Sequence, residues 1–270
     1  MIATLRALPS DLWEALHFLT RLPLPGATPT RGPADAAAAF PLVGLVLGLV
    51  LVVLDALLGK THLAGAGADA LLVAASIAAT GGLHLDGLMD TCDGIGVGGD
   101  RERRLDVMHD PHVGAFGVLG GVSVVLLKFG ALASLHGTAR PLALLLAPVL
   151  GRWGLVLCAA IYPPARPGGL GAAFRRGLTR PRLIVATLLS ILISASSTLV
   201  ASPASTGVSG GATLDRLLGL VVLGVVSLAA VLSGRGFTRL LGGLTGDTYG
   251  ALVELGEVVA LYTVAALIAA

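Results

Sequence analysis

The chain has little of what a soluble enzyme shows to water. Charged residues make up 13% of its 270 residues, about half of the ~25% usual in globular domains. Only two cysteines occur, Cys92 and Cys158, one in an acidic stretch and one in an apolar run. That supports neither a disulfide framework nor a thiolate metal site. Aromatics are 4% of the chain, and Trp13 and Trp153 are too few to mark both faces of a membrane with an interfacial belt. Met1 to Leu22 has no unbroken apolar core, being interrupted by Arg6, Pro9, Asp11, Glu14 and Arg21. A cleavable signal is therefore not expected. The formal net charge of +2 identifies no charged partner, and no nucleic acid is expected.

What is present is apolar. Hydrophobic residues make up 55% of the chain and the mean hydropathy is +0.89. Runs at Ala36 to Leu58, Val113 to Leu135, Pro141 to Tyr162, Pro181 to Ala201, Leu214 to Ser233 and Thr248 to Ala270 each match the ~20 residues that cross a bilayer as a helix. Ala68 to Leu83 is short for a crossing and is expected to continue as helix into the charged stretch that follows. The expectation is an all-α polytopic membrane bundle of about seven transmembrane helices in a single domain, residues 1–270. An amphipathic helix over residues 10 to 25, capped by Ser10 and closed by Pro23 and Pro25, would lie at the interface. The 38 glycines would let helices approach closely in lipid. The loop from Ser202 to Gly211 carries nothing that suggests chemistry.

Charge is gathered in one place. Residues 84 to 117 hold Asp86, Asp90, Asp93, Asp100, Glu102, Asp106 and Asp110, seven of the sixteen acidic residues. Asp86, Asp90 and Asp93, at i, i+4 and i+7, share one helix face, and their mutual repulsion makes sense if a cation sits among them. Hard oxygen donors suit Mg²⁺, Mn²⁺ or Ca²⁺ rather than zinc. Four glycines between Asp93 and Asp100 predict a reversal into a second, helical arm from Arg101 to His109. On that arm Asp106 and Asp110 would stack at i, i+4 before Pro111 ends the helix. With the N-terminus inside, thirteen Lys and Arg fall on the inner side and Lys60, Arg140 and Arg216 on the outer, which places the acidic hairpin on the cytoplasmic face. In the apolar runs, Lys128, Arg152, Glu254 and Glu257 read as ion pairs that hold helices in register. His84, His109 and His112 flank the cluster.

The run Leu-Asp-Gly-Leu-Met-Asp-Thr-Cys-Asp-Gly from Leu85, followed by Arg-Glu-Arg-Arg-Leu-Asp-Val-Met-His-Asp-Pro-His-Val-Gly-Ala-Phe-Gly from Arg101, resembles the signature of the cobalamin-5'-phosphate synthase family, the adenosylcobinamide-GDP ribazoletransferases. Phe18-Leu-Thr-Arg-Leu-Pro-Leu-Pro25 and Gly242 to Glu254 resemble that family's terminal motifs, with His109 standing where a basic residue and Asp106 where Glu is usual. The resemblance implies an inner-membrane enzyme facing the cytoplasm that joins adenosylcobinamide-GDP to alpha-ribazole or its 5'-phosphate and releases GMP. With it, Asp86, Asp90 and Asp93 would hold Mg²⁺ (or Mn²⁺). Arg21, Arg101, Arg104 and Asp247 would bind the nucleotide-activated substrate, and Asp110, with Asp106, would take the proton. The lipid bilayer is a partner, and a homo-oligomer or an assembly with other cobalamin-forming enzymes is compatible with this picture. Two other readings are a CDP-alcohol-type membrane phosphotransferase, whose Ala-Arg is replaced here by Cys92-Asp93, and a divalent cation transporter, which would want its carboxylates at mid-membrane.

Overall fold

Helices account for nearly all of the ordered backbone, as the apolar runs require. The computed structural model describes residues 1–25, 31–63, 65–201 and 212–268. Its elements are α1 (Ile2–Leu19), a 3₁₀ turn (Pro33–Ala39) leading into α2 (Phe40–Leu58), α3 (Ala66–Thr80), α4 (Leu83–Gly96), α5 (Arg101–Val107), α6 (Ala115–Ser134), α7 (Ala139–Ile161), α8 (Gly169–Gly177), α9 (Arg180–Ala201), α10 (Ala212–Leu241) and α11 (Gly246–Leu267). Six helices are long and apolar enough to cross a membrane, and the bent pair of α3 and α4 makes a seventh if counted as one span. The protein is a polytopic helical membrane protein.

Three expectations about elements change. The N-terminal helix begins at Ile2, with Pro9 inside it, and Ser10 bonds back to the Ala7 carbonyl at 2.8 Å instead of capping. The helix through Ala68 to Leu83 does not run on into the carboxylates, because the chain turns by 91° between α3 and α4. α10 continues past Ser233 to Leu241, carrying Arg235 and Arg239 on helix rather than loop. The Ser202 to Gly211 loop lies outside the described residues.

α7 and α11 form the buried centre. α2 crosses α7 where Gly44 and Gly48 sit against backbone: a Cβ added to them would fall 2.4 Å from the Pro148 carbonyl oxygen and 2.8 Å from that of Leu145. Gly151 and Gly256 do the same between α7 and α11, where a Cβ added to Gly256 would fall 3.1 Å from the Gly151 Cα. Lacking a hydrophobic driving force in lipid, helices gain from such close van der Waals approach. The buried charges pair as expected. Lys128 Nζ on α6 stands 2.7 Å from Glu254 and 2.6 Å from Glu257 on α11, and Arg152 on α7 reaches Glu257 at 2.6 Å. Elsewhere, Arg140 at the start of α7 bridges Asp55 of α2 (2.8 Å) and Asp69 of α3 (2.7 Å).

Candidate active site

The site starts from a break in helix. Gly81 and Gly82 adopt left-handed φ of 62° and 73°, a conformation that costs glycine little and other residues more. Their amides close the end of α3 on the Ala78 and Ile77 carbonyls at 3.0 and 2.9 Å. Arg21 is fixed at this corner. Its amide donates to Ala79 O at 2.8 Å, and its side chain crosses Gly81 so closely that a Cβ there would lie 2.4 Å from Arg21 Cγ. The exposed Arg21 side chain lines an open groove with Asp86 and Met89.

A second close approach brings in Asp247. α4 crosses the start of α11 at Gly87 and Gly250, where added Cβ atoms would fall 2.7 Å from Asp247 O and 2.9 Å from His84 O. Thr245 and Thr248 cap α11 reciprocally at 3.2 and 2.8 Å, and Thr245 Oγ1 also donates to the Asp247 carboxylate at 3.3 Å. The Asp90 carboxylate thus lies in the field of Asp86, Asp247 and Asp93, and Asp247 in that of His109 and Asp86. Residues on the middle and final motifs of the chain meet here.

The structure separates Asp93 from its two neighbours. Its buried carboxylate accepts the amides of Gly114 and Gly117, both at 2.8 Å, so it caps α6. Both oxygens keep one further lone pair, but the side chain is committed to the α4–α6 junction, where Gly117 allows contact with α4. The two arginines expected to bind phosphate are likewise engaged. Arg101 Nε donates to Leu241 O at 2.8 Å and its terminal nitrogen to Ala165 O, tying α5 to the loops before α8 and α11. Those loops are themselves joined by Ala165 N to Leu244 O (2.8 Å) and Leu244 N to Pro163 O (2.9 Å). Arg104 caps the carbonyls at the end of α4, reaching Ile95 O at 2.5 Å and Gly99 O at 3.2 Å.

The second arm of the hairpin is also shorter than expected. α5 ends at Val107, so Asp110 lies beyond it and does not stack on Asp106. Asp110 is exposed, and its Oδ1 accepts from the His112 amide at 2.9 Å and pairs with His112 Nδ1 at 2.6 Å. These bonds hold its carboxyl below the usual carboxylate range, which makes it a weaker proton acceptor. It lines a groove with Asp93 and His112, away from Asp86 and Asp247. Asp106 is exposed on α5. Asp100, expected only to be solvated, accepts the Arg103 amide at 2.9 Å as the N-cap of α5.

Beneath Asp86 and Asp247 is a cavity of about 220 Å³ whose lining sequence reasoning missed. Phe18, Phe40, Phe174 and Tyr249 form a row along it, with successive ring centroids 6.2, 5.4 and 5.6 Å apart. His84, His109 and Arg166 also line it, and Arg166 is held to Leu105 O at 2.6 Å. The only signal was scarcity: four of eleven aromatics converge here, but they come from four distant parts of the chain.

Among the described residues, no three His, Cys, Asp or Glu side chains converge as a formed metal-binding group. The donor chemistry nevertheless fits a hard divalent cation: Asp86, Asp90 and Asp247 put like charges near one another with no cationic side chain paired to any of them among the described residues. Asp93 fits less well, being a cap.

Comparison with known proteins follows this layout along the whole chain. Residues 11–265 match the family described as cobalamin-5-phosphate synthase. A Roseiflexus sp. (strain RS-1) protein named adenosylcobinamide-GDP ribazoletransferase is 42% identical over 256 residues, 94% of this chain and 88% of its own. A protein of that name from Pseudomonas paraeruginosa (strain DSM 24068 / PA7) is 43% identical over 259 residues, covering 94% and 97%. One from Synechococcus sp. (strain ATCC 27144 / PCC 6301 / SAUG 1402/1) is 39% identical over 255 residues, covering 94% and 95%. No solved structure matches. With its carboxylate-bearing α4, Asp247 in the first turn of α11 and its Arg21 corner all inside the matched span, the chain belongs to the cobalamin-5-phosphate synthase family.

Proposed function

We propose that this chain is an adenosylcobinamide-GDP ribazoletransferase of the bacterial cytoplasmic membrane, with its site on the cytoplasmic side. The observation that carries the reading is the meeting of Asp86, Asp90 and Asp247 with Arg21 nearby, at the mouth of an aromatic cavity, in a chain of this family. In the reaction, a hydroxyl of alpha-ribazole or its 5'-phosphate attacks the cobinamide-side phosphorus of adenosylcobinamide-GDP. The bridging P–O bond breaks and GMP leaves.

Asp86, Asp90 and Asp247 are the residues that would hold Mg²⁺, which when bound offsets the charge of the pyrophosphate and of the leaving GMP. Arg21 is a fork of donors for phosphate oxygens, and unlike those of Arg101 and Arg104 its side chain is not engaged by backbone carbonyls among the described residues, so it is left to line the groove beside Asp86. His109, which lines the cavity with Asp247, takes the hydroxyl proton. This moves the base from Asp110 to a group that faces the cavity. The test is to incubate the purified protein with adenosylcobinamide-GDP, alpha-ribazole 5'-phosphate and Mg²⁺ and to follow GMP. Release that stops with EDTA and returns with Mg²⁺ or Mn²⁺ is expected. No release under any metal condition overturns the reading, and full release in excess chelator overturns the metal.

A further inference from the structure

We propose that α8 is a hinged lid over the aromatic cavity, shut in this structure, which swings out to let substrates reach Asp86, His109 and Asp247. The proposal rests on the ribazoletransferase reading only for the size of what has to enter.

The cavity is too small for its reactants as it stands. Its volume of about 220 Å³ lies below the about 300–1,000 Å³ of pockets that hold drug-sized ligands, and both reactants of the proposed transfer are nucleoside-sized or larger. One wall therefore has to move. α7 and α11 form the centre of the bundle, and α4 meets α11 backbone to backbone at Gly87 and Gly250, so none of these yields without opening the core. α1 is tied down by Arg31, which reaches Asp11 at 3.1 Å and Glu14 at 2.6 Å. α8 is held more lightly. Over its nine residues it turns Gly171, Ala172 and Phe174 inward to the cavity, while Ala173, Arg175 and Arg176 are exposed on its back. A helix this short depends on what it packs against. Its one large buried side chain is Phe174, set between Phe40 and Tyr249 with ring centroids 5.4 and 5.6 Å away.

The ends of α8 allow a swing between fixed points. Before it, the chain is anchored through Ala165 N to Leu244 O at 2.8 Å and through Arg166 to Leu105 O at 2.6 Å. The next three residues, Pro167, Gly168 and Gly169, are exposed. Gly169 has a φ of 85°, and a Cβ added at Gly168 or Gly169 would meet nothing within 4 Å. Backbone rotation there is sterically free, as a hinge requires. After α8, Arg182 holds Gly177 O at 2.6 Å and Asp35 at 2.7 Å, which makes Gly177 the pivot at the other end. One exposed hydrogen bond, from Arg176 to the Pro167 carbonyl at 3.1 Å, spans the lid and latches it to its own hinge. Outward rotation about these two points lifts Phe174 from between Phe40 and Tyr249 and opens the cavity on the side away from α4.

Two experiments on the full-length protein in detergent test this. The first locks the lid. A Cβ at position 246 would stand 3.4 Å from Leu170 Cβ, close to the about 3.5–4.5 Å that a disulfide spans. With Cys92 and Cys158 replaced by alanine, Leu170→Cys/Gly246→Cys is oxidised and the bridge confirmed by mass spectrometry. GMP release should fall at least about tenfold on oxidation and return with dithiothreitol, while Leu170→Cys alone ignores the oxidant. A bridged protein that turns over as fast as its reduced form overturns the lid. The second reads opening without turnover. Ala172 is 2% exposed on the inner side of α8, and native Cys158, 0% exposed in α7, is the buried reference. In Cys92→Ala/Ala172→Cys, fluorescein maleimide, too large for the closed cavity, should label position 172 at least about tenfold faster than Cys158. Equal, slow labelling of the two thiols overturns the proposal, and this measurement decides alone should the reduced double-cysteine variant be inactive. Wild-type protein that releases no GMP, with fast labelling at 172, keeps the lid and discards the transferase reading. Active protein with a slow thiol at 172 does the reverse.

Discussion

Carboxylates with the same spacing on one helix can have different work, and the difference lies in what their oxygens touch. Asp86 lines the groove and Asp90 lies in the field of Asp86 and Asp247, whereas Asp93 gives both oxygens to backbone amides at the start of α6. Asn at position 86 or 90 should therefore lower turnover by about a hundredfold or more with no change in melting temperature, because a lost ligand or field displaces the phosphates and not the fold. Asp110→Asn should stay within about threefold of wild type, since that carboxylate is exposed and turned to His112. His109→Gln should cut kcat by about 10² to 10⁴ if it carries the proton. Single-turnover GMP release on the purified variants checks all four, and an Asp110→Asn defect as deep as that of Asp86→Asn would return the base to Asp110. The stacked pair was legible from the i, i+4 spacing alone. The diversion of Asp93 was not, because its partners are amides that sequence cannot distinguish from any others.

At the level of elements, two glycine-dependent junctions aim the site. The α4–α6 junction is closed by Asp93 acting as a cap across the loop, so Asp93→Asn, which leaves one amide without an oxygen, should cost about 1–2 kcal/mol of stability. Thermal unfolding in detergent reads this. A variant with wild-type melting and a lost metal response would make Asp93 a ligand after all. The α4–α11 crossing is closed by Gly87 against the Asp247 backbone. Gly87→Ala must push α11 away and carry Asp247 with it, so activity should fall at least tenfold, while Gly224→Ala, with open space at its Cβ, should be silent. Equal effects of the two substitutions would show that the crossing does not set the site. The spans themselves were readable to within a few residues because they are long and apolar. The 91° corner at Gly81 and Gly82 was hidden: paired glycines between an apolar run and an acidic one permit a bend without dictating it. The fates of Arg101 and Arg104 were hidden for a related reason, since helix ends and loop carbonyls that arginines cap are set by tertiary structure.

For the whole molecule, the question is which way the bundle faces, and the distribution of charge supports the proposed orientation. Among the described residues, Lys128, Arg152, Glu254 and Glu257 pair with one another inside the bundle, so these carboxylates form no unpaired row of the kind a cation path needs. The acids of α4, α5 and the start of α11 gather at one end of the bundle with the arginines of α5 and α8, and the turn holding Lys60 and His62 joins α2 to α3 at the other end, where Arg140 binds Asp55 and Asp69. On the proposed orientation, the basic excess would put the first end in the cytoplasm. In a background with Cys92 and Cys158 replaced by alanine, Glu102→Cys should then react with a membrane-impermeant maleimide in inverted vesicles only, and His62→Cys in right-side-out vesicles only. Both positions are exposed and make no ion pair among the described residues, so labelling reports side rather than burial. The opposite pattern would put the carboxylates outside the cell, away from cytoplasmic nucleotide donors. Labelling of both from one side would require the α3–α4 pair to re-enter the membrane without crossing it, as a 91° bend permits.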